Sequence, residues 1–547
     1  MSFYPVVPSA VSSIADAAGR VVAVRLSDLA SPSGWALGEG DRSALVIAGT
    51  SRVRSGDEVV FLKVIAVAPA RVRRDGRVQA DGSPCDHATL GAVEERLDRA
   101  AGPGVIDGIA GRVVLRGPVA GERRRLLSAA FVLRAVVLMT LMPQADAREV
   151  LLALAGDLAL VPWARPWRPA SPQAFRDWRS ALGPEPLEEL RDVVLDAGLL
   201  EHRERDWRAV AIGGLRAGAI DGTLIRVPDT PGNRAAFGSL GTSDDSAPFP
   251  QVRALLLSDA STRATLGVVH GPSGGDKAAG EQALLDRAMD ELPRLFTPDR
   301  CWILDRNFPG AARIARIIRR THVLIRVKAS IRLDRTSAFL PDGSYLANLH
   351  GDGTIVAVRV IEYDVRMEGQ EVPEMFCLVT DLLDWEEYPA GGLARAYKWR
   401  WDGSETALRE AKSAITGAGP SAGPMLRSGA PAMARQEIAA WTAATEMVRG
   451  LARDAALTAA PARKGRQAGL PVHPREISFT AARRAATRAG TCGYETVVAT
   501  LGKARTTIDR DRHRPRKAKN GLTFPRAGRA LATTKATPQI ILCNTPA

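Results

Sequence analysis

Cysteine is scarce in these 547 residues, and the five present (Cys85, Cys301, Cys377, Cys492, Cys543) are odd in number and far apart. That excludes a disulfide framework. No Cys/His set has zinc spacing: Cys85 and His87 stand alone, and the next such residue is His202. Aromatic residues make up only 5% of the chain. The opening MSFYPVVPSAVSSIADAAGR lacks the basic and apolar regions of a signal peptide. The most apolar stretch, 126–142, is 17 residues long with Arg134 at its centre. It is too short and too charged for a bilayer, so a buried helix is expected. These absences lead to an expectation of a soluble protein in a reducing compartment without membrane partners.

What is present begins with charge. The chain has 74 Lys and Arg against 60 Asp and Glu, a net +14. Residues 451–547 hold 19 of the basic and 5 of the acidic residues, so the whole excess lies there and the first 450 residues are neutral. A neutral body with a basic tail argues for a polyanionic partner. The length suggests about three or four domains.

Along the chain, residues 1–89 are left unassigned; the run DEVVFLKVIAVAP allows a small β module. Residues 90–204 carry helical periodicity, as in ADAREVLLALAGDL, and a Ser171-Pro172 helix start. The interleaved Trp, Pro and Arg of VPWARPWRP suit either a phosphate backbone or packing between short helices. Over 205–330 strands and helices alternate, an α/β layer pattern. Residues 331–389 are β-rich with Asp-Gly turns and read as a β insertion. Helical pattern returns over 390–455, and the basic tail, 456–547, is expected to be poorly ordered.

Three acids sit where acids are awkward. Asp221 follows the apolar run AGAI and Asp305 follows CWIL, both at the edge of a buried strand, while Glu405 falls on the helix after the insertion. Strand ends in α/β sheets are where sites are built. Two or three converging carboxylates make a hard oxygen site for Mg²⁺ or Mn²⁺, suited to in-line phosphoryl transfer. Singly, each acid reads equally well as a turn or cap residue.

The segment Tyr397-Lys-Trp-Arg400-Trp-Asp-Gly-Ser-Glu405-Thr-Ala-Leu-Arg-Glu-Ala-Lys412 resembles the Y–R–E–K signature of insertion-sequence DDE transposases of the insertion-sequence-four and Tn-five type. Asp221 in IDGT and Asp305 in LDRNFPG stand like that family's first two catalytic acids. The resemblance spans roughly residues 90–520. It implies a ribonuclease-H-like catalytic core interrupted by a β-strand insertion, preceded by a helical DNA-binding domain and followed by the basic tail. It implies catalytic and metal-binding roles for Asp221, Asp305 and Glu405 with Mg²⁺ or Mn²⁺. Tyr397, Arg400 and Lys412 would hold DNA, and Phe376 stands where the family stacks an aromatic side chain on a flipped base. The implied activity is metal-dependent cleavage and strand transfer at insertion-sequence ends, by cut-and-paste transposition. The implied partners are end and target DNA, with a homodimer on paired ends, in the nucleoid of a bacterial cytoplasm.

Glu405 and Lys412 are seven residues apart and share a helix face. Arg400 offers a planar fork for phosphate. One residue more separates Arg400 from Glu405 than the signature has, which rotates a helix by about 100°. A bulge at Gly403 is therefore expected to absorb it, with Glu405 favoured over Ser404 and Glu410 as third acid. Deleting one residue at Gly403 is expected to preserve cleavage.

Two other readings compete with an active transposase. One is a catalytically inactive relative that only binds DNA. The other is a serine hydrolase built on Gly271-Pro-Ser273-Gly-Gly275, Asp305 and His322. The expected helix starts at Glu281, too far from Ser273 for a nucleophile elbow, so an ordinary loop is favoured.

Overall fold

The computed structural model describes residues 90–114, 127–155, 170–204, 211–239, 249–274, 280–328, 330–351, 353–366, 374–415, 425–461, 469–487, 494–506 and 539–543. Before residue 90 it describes short strands alone: β1 (Phe3–Val6), β2 (Ser12–Ala15), β3 (Val21–Val24), β4 (Leu45–Thr50), β5 (Val60–Ala68), β6 (Ala70–Val72) and β7 (Val78–Ala80). They pair antiparallel among themselves, as β1-β5-β4, β2-β3 and β6-β7. The Trp/Arg segment at 161–169 and the basic run at 510–521 lie outside the described residues.

The chain divides into two compact units. The first comprises residues 1–201, 226–236 and 411–504; the second comprises 202–225, 237–410 and 505–547. The first is helical: α1 (Ala92–Ala101), α2 (Val105–Gly111), α3 (Ala129–Leu141), α4 (Ala147–Ala155), α5 (Pro172–Leu182) and α6 (Glu185–Glu204) precede the sheet in sequence. The Ser171 hydroxyl accepts from the Ala174 N–H and Pro172 occupies the first turn, so α5 starts as the Ser-Pro pair predicts. Helix α3 is buried nearly all round, and its Arg134 is tolerated because it is paired. Its guanidinium donates to Glu94 (Nε, 3.0 Å) and to Asp107 (Nη1, 2.9 Å). No helix among the described residues is long and apolar enough to cross a membrane.

The second unit is built on one mixed sheet. Its strands are β8 (Ala211–Ile212), β9 (Leu215–Arg226), β10 (Gln251–Asp259), β11 (Thr265–Pro272), β12 (Arg300–Leu304), β13 (His322–Arg326), β14 (Leu333–Arg335), β15 (Tyr345–Gly351), β16 (Thr354–Arg366), β17 (Glu374–Thr380) and β18 (Gln539–Leu542). The order is β11-β10-β9-β12-β13-β17-β16-β15-β14, with β8 on β9 and β18 on β16. Strands β9, β12 and β13 run parallel, and their hydrophobic cores (Ala217–Ile220, Cys301–Leu304, Val323–Ile325) are nearly continuous, as burial on both faces requires. Helix α7 (Pro231–Phe237) follows β9; α8 (Glu281–Glu291) and α9 (Ala311–Ile318) link the later strands. The arrangement is consistent with a ribonuclease-H-like core. The strands of 331–389 extend that sheet through the antiparallel β13–β17 pair.

Helix α10 (Ala390–Arg400) returns to the sheet after the insertion, and a buried arginine fixes its start. Arg359, fully buried on β16, donates to the Ser344 hydroxyl (2.8 Å), the Tyr388 carbonyl (2.7 Å) and the Asp342 carboxylate. Asp342 in turn accepts from the Ala390 N–H at 2.8 Å, capping the helix N-terminus. Beyond α10 come α11 (Ala407–Ile415), α12 (Pro431–Thr458), α13 (Phe479–Thr487) and α14 (Tyr494–Leu501). In the first unit α12 is the central post, packed by α1, α3, α13 and α14.

Arg359→Ala should strip Asp342 of its buried partner and leave carbonyls unsatisfied, at a cost of about 3–5 kcal/mol. Denaturant unfolding of the variant measures this; a midpoint equal to that of the wild type would show that Arg359 does not hold the insertion to α10.

Candidate active site

Parallel pairing of β9 with β12 sets Ala219 opposite Ile303. Carrying that register two residues onward brings Asp221 level with Asp305. Asp221 lies on β9 and Asp305 in the turn after the adjacent β12, so both come at the same end of neighbouring parallel strands. Asp305 lies just past the end of β12, where its Oδ1 accepts the Asn307 N–H. It is thus a turn residue as well as a site candidate, and the two readings coexist. Asp221 is half-buried, with its Oδ1 accepting the Gly222 N–H at 3.0 Å.

The third acid arrives by a change in helical pitch. Between α10 and α11, residues Trp401–Thr406 form a π-helix. A π-turn takes one more residue than an α-turn, so the additional residue between Arg400 and Glu405 is absorbed where the spacing calls for a bulge. Gly403 makes the turn sterically possible. A Cβ there would lie 2.7 Å from Ala260 Cα and 3.5 Å from Ala219 Cβ. The backbone at Gly403 therefore rests on the face that carries Asp221, one alternate position from it along β9. The Ser404 hydroxyl is buried and donates to the Arg400 carbonyl at 2.7 Å, using up the side chain that stands in the third-acid slot. Glu410 is committed elsewhere, to Arg263 at 2.9 Å. Glu405 remains, half-buried, with its Oε1 3.3 Å from Arg400 Nη2. This contact bears on the expectation that a deletion at Gly403 preserves cleavage, because the position beside Ala260 has no room for a Cβ.

Electrostatics tie these groups together. Burial pushes the Asp221 carboxyl up to about 6; the nearby Arg400 charge opposes the shift, and the charges of Glu405 and Asp305 add to it. Burial likewise raises the Tyr397 hydroxyl to about 12, opposed by Arg400 and assisted by the Asp305 charge. Asp221, Asp305, Tyr397, Arg400 and Glu405 thus act on one another within one region. Their hard carboxylate oxygens are the donors that Mg²⁺ or Mn²⁺ takes. Among the described residues no group of three or more His, Cys, Asp or Glu is close enough to hold an ion as it stands.

The Phe376 ring stacks on Tyr363 of β16 (centroids 5.2 Å), meets Tyr397 edge-on (6.2 Å) and carries Arg326 of β13 at 3.8 Å. It is engaged within the protein on these sides. Lys412 lies on α11, seven residues past Glu405. The hydrolase set is not assembled. His322 opens β13 opposite Cys301, four residues and ~13 Å along the strand from the level of Asp305. Its Nδ1 is 2.7 Å from Asp381 Oδ2. Arg326 and Tyr363, the partners of Phe376, escaped the sequence reading because each lies in an ordinary β pattern.

The family model described as "Transposase DDE domain" matches residues 212–417. The second unit is similar to a transposase DDE domain. The matched span holds all three acids, the insertion and the π-helical turn. A solved structure, the piggyBac transposase synaptic complex with hairpin DNA, aligns over 77% of this chain and 81% of its own at 12% identity and a TM-score of 0.34. That likeness is too loose to carry a residue correspondence. No curated protein matches the chain.

An acid with a raised native pKa stabilises the fold at pH values below its unfolded pKa, and that contribution is lost as pH rises through the native pKa. Metal-free wild type should therefore lose stability relative to Asp221→Asn between pH 4 and 7, by at most about 3 kcal/mol. Parallel melts of the two proteins across this range check it; a constant difference would mean Asp221 ionises normally. Gly403→Ala should cost about 1–3 kcal/mol through overpacking against Ala260, which unfolding midpoints would reveal.

Proposed function

We propose that this chain is a DNA transposase that cleaves DNA at the ends of an insertion sequence and joins the freed 3′ ends to target DNA. The observation that carries the reading is that the charges of Glu405, within a π-helical turn, and of Asp305 both act on the half-buried Asp221. The match of residues 212–417 to the transposase DDE domain supports it. Asp221, Asp305 and Glu405 would hold Mg²⁺ or Mn²⁺. Such ions, when bound, make a water or a 3′-hydroxyl a competent nucleophile and offset the charge on the leaving oxygen. The remaining work belongs to the chain. Arg400, which pairs with Glu405 here, would present its planar fork to a backbone phosphate. Tyr397, neutral at all working pH values, donates or accepts a hydrogen bond beside Asp305. Phe376 is the aromatic group available at the insertion side, and Lys412, by the resemblance, is a further candidate for DNA contact. The basic tail supplies sequence-independent attraction to DNA. The insertion-sequence-four and Tn-five type, a cut-and-paste route, a homodimer on paired ends and a bacterial nucleoid location complete the proposal.

A specific observation favours a second reading, that of a relative that binds DNA without cutting it. Glu405 is paired with Arg400, and no three-carboxylate group is preassembled among the described residues.

Incubating the protein and Mg²⁺ with DNA that spans the borders of its own coding region separates the two. Breaks at the borders that vanish in Asp305→Ala, with DNA affinity unchanged within about twofold, are the expected result. Binding without breaks in the wild type establishes the second reading.

A further inference from the structure

We propose that strand β18 is a positioning element for the catalytic helix α10, with Ile540 and Leu542 as the residues that do it. The inference rests on the function proposed above and adds a part of the chain that no catalytic motif includes.

Helix α10 is weak where it begins. Its sequence AGGLARAYKWR places Gly391 and Gly392 in the first turn, each costing about 1 kcal/mol relative to alanine. Yet this helix must hold Tyr397 and Arg400 and deliver the π-turn to Ala260. Two outside supports meet that first turn. One is the Asp342 carboxylate on the Ala390 N–H. The other is β18. It pairs antiparallel with β16, Tyr363 opposite Leu542 and Val365 opposite Ile540, and the Cys543 N–H donates to the Glu362 carbonyl at 3.0 Å. Alternation puts Ile540 and Leu542 on one face of the strand, half-buried, and Gln539 and Ile541 on the exposed face. The buried pair packs on the cluster that contains Tyr363, Leu393, Ala394 and Tyr397. Leu542 Cδ1 lies 3.9 Å from the place of a Cβ on Gly391, so the glycine leaves room for the leucine and the leucine covers the glycine.

β18 therefore closes the open half of the β16 edge and braces the glycine turn of α10 with the same two side chains. The strand comes after the basic segment: the last Lys or Arg is Lys535, and residues 536–547 carry no charged side chain. Positioning and charge can thus be separated by a single cut.

The test compares the full chain with a variant ending at Lys535, on border-spanning DNA with Mg²⁺. Affinity and the slope of log K against log salt should stay the same, because every basic side chain is retained. The cleavage rate per bound complex should fall about 10- to 100-fold, the loss expected of a catalytic group displaced by ~1 Å. A synthetic peptide of residues 536–547 added in trans should restore it by strand addition, and the same peptide with Leu542→Asp should not. Full-length Leu542→Ala, with an unchanged circular dichroism spectrum, should show a partial rate loss at unaltered affinity. Amide exchange in α10 and at 363–366 is read in parallel: faster in the truncated protein, slowed again by the peptide. Unchanged exchange together with full cleavage in the truncated protein would overturn the proposal, and so would a loss of affinity equal to the loss of rate. If the full chain does not cleave at all, the transposase reading fails, while the exchange measurement still decides whether β18 braces α10.

Discussion

The contact between the Gly403 backbone and Ala260 is the constraint on which the candidate site depends. Only a glycine lets the helix come this close, since any Cβ would stand 2.7 Å from a backbone carbon. That approach sets the depth at which the chain crosses the sheet, and the π-turn sets the rotation with which it leaves. An α-helical turn with the same number of residues would present a different side chain beside Asp221. π-turns forfeit regular hydrogen bonding, and here the Ser404 hydroxyl supplies a donor to the Arg400 carbonyl. The added residue is thus accommodated by two of its neighbours, one giving space and the other a hydrogen bond.

Much of this was legible beforehand. Asp221 and Asp305 stood out because each ends a run of buried apolar residues, and parallel pairing of those runs brings such ends together. The need for a distortion before Glu405 followed from counting residues per turn. What was not legible depends on contacts between segments remote in sequence. Arg359 read as one charge in a β-rich stretch, and nothing local says that it reaches Asp342 and, through it, the start of α10. The insertion read as a subdomain, whereas its strands extend the core sheet, because the pairing of β13 with β17 crosses about fifty residues of chain. The tail from residue 456 read as basic and poorly ordered, whereas α13 and α14 lie within it, and its uncharged QIIL carries a short β pattern that gains meaning only from the β16 edge.

Stability and chemistry pull against each other at the site. Burial raises the proton affinity of Asp221, and the nearby charges of Glu405 and Asp305 raise it further. Arg400 offsets part of that cost, and its pairing with Glu405 is the ground-state arrangement. A site that binds cations must carry this excess negative charge, so the fold has to be held from outside it. The supports observed are neutral or self-contained: the Arg359–Asp342 pair, the Tyr363–Phe376 stack and the apolar face of β18. None of them spends a carboxylate of the site.

This separation explains why the aromatic cluster matters to the chemistry without joining it. Tyr397 must stay protonated beside Asp305, and burial against Phe376 and Tyr363 keeps it so. The Arg326 guanidinium lies over the Phe376 ring and pairs with Glu374. Arg400 is then the cation that answers directly to the state of Glu405. On the proposed reading, Glu405 would be one of the carboxylates that hold an ion and Arg400 would be the group that offers its fork to phosphate, so the ion pair they form here joins the two roles.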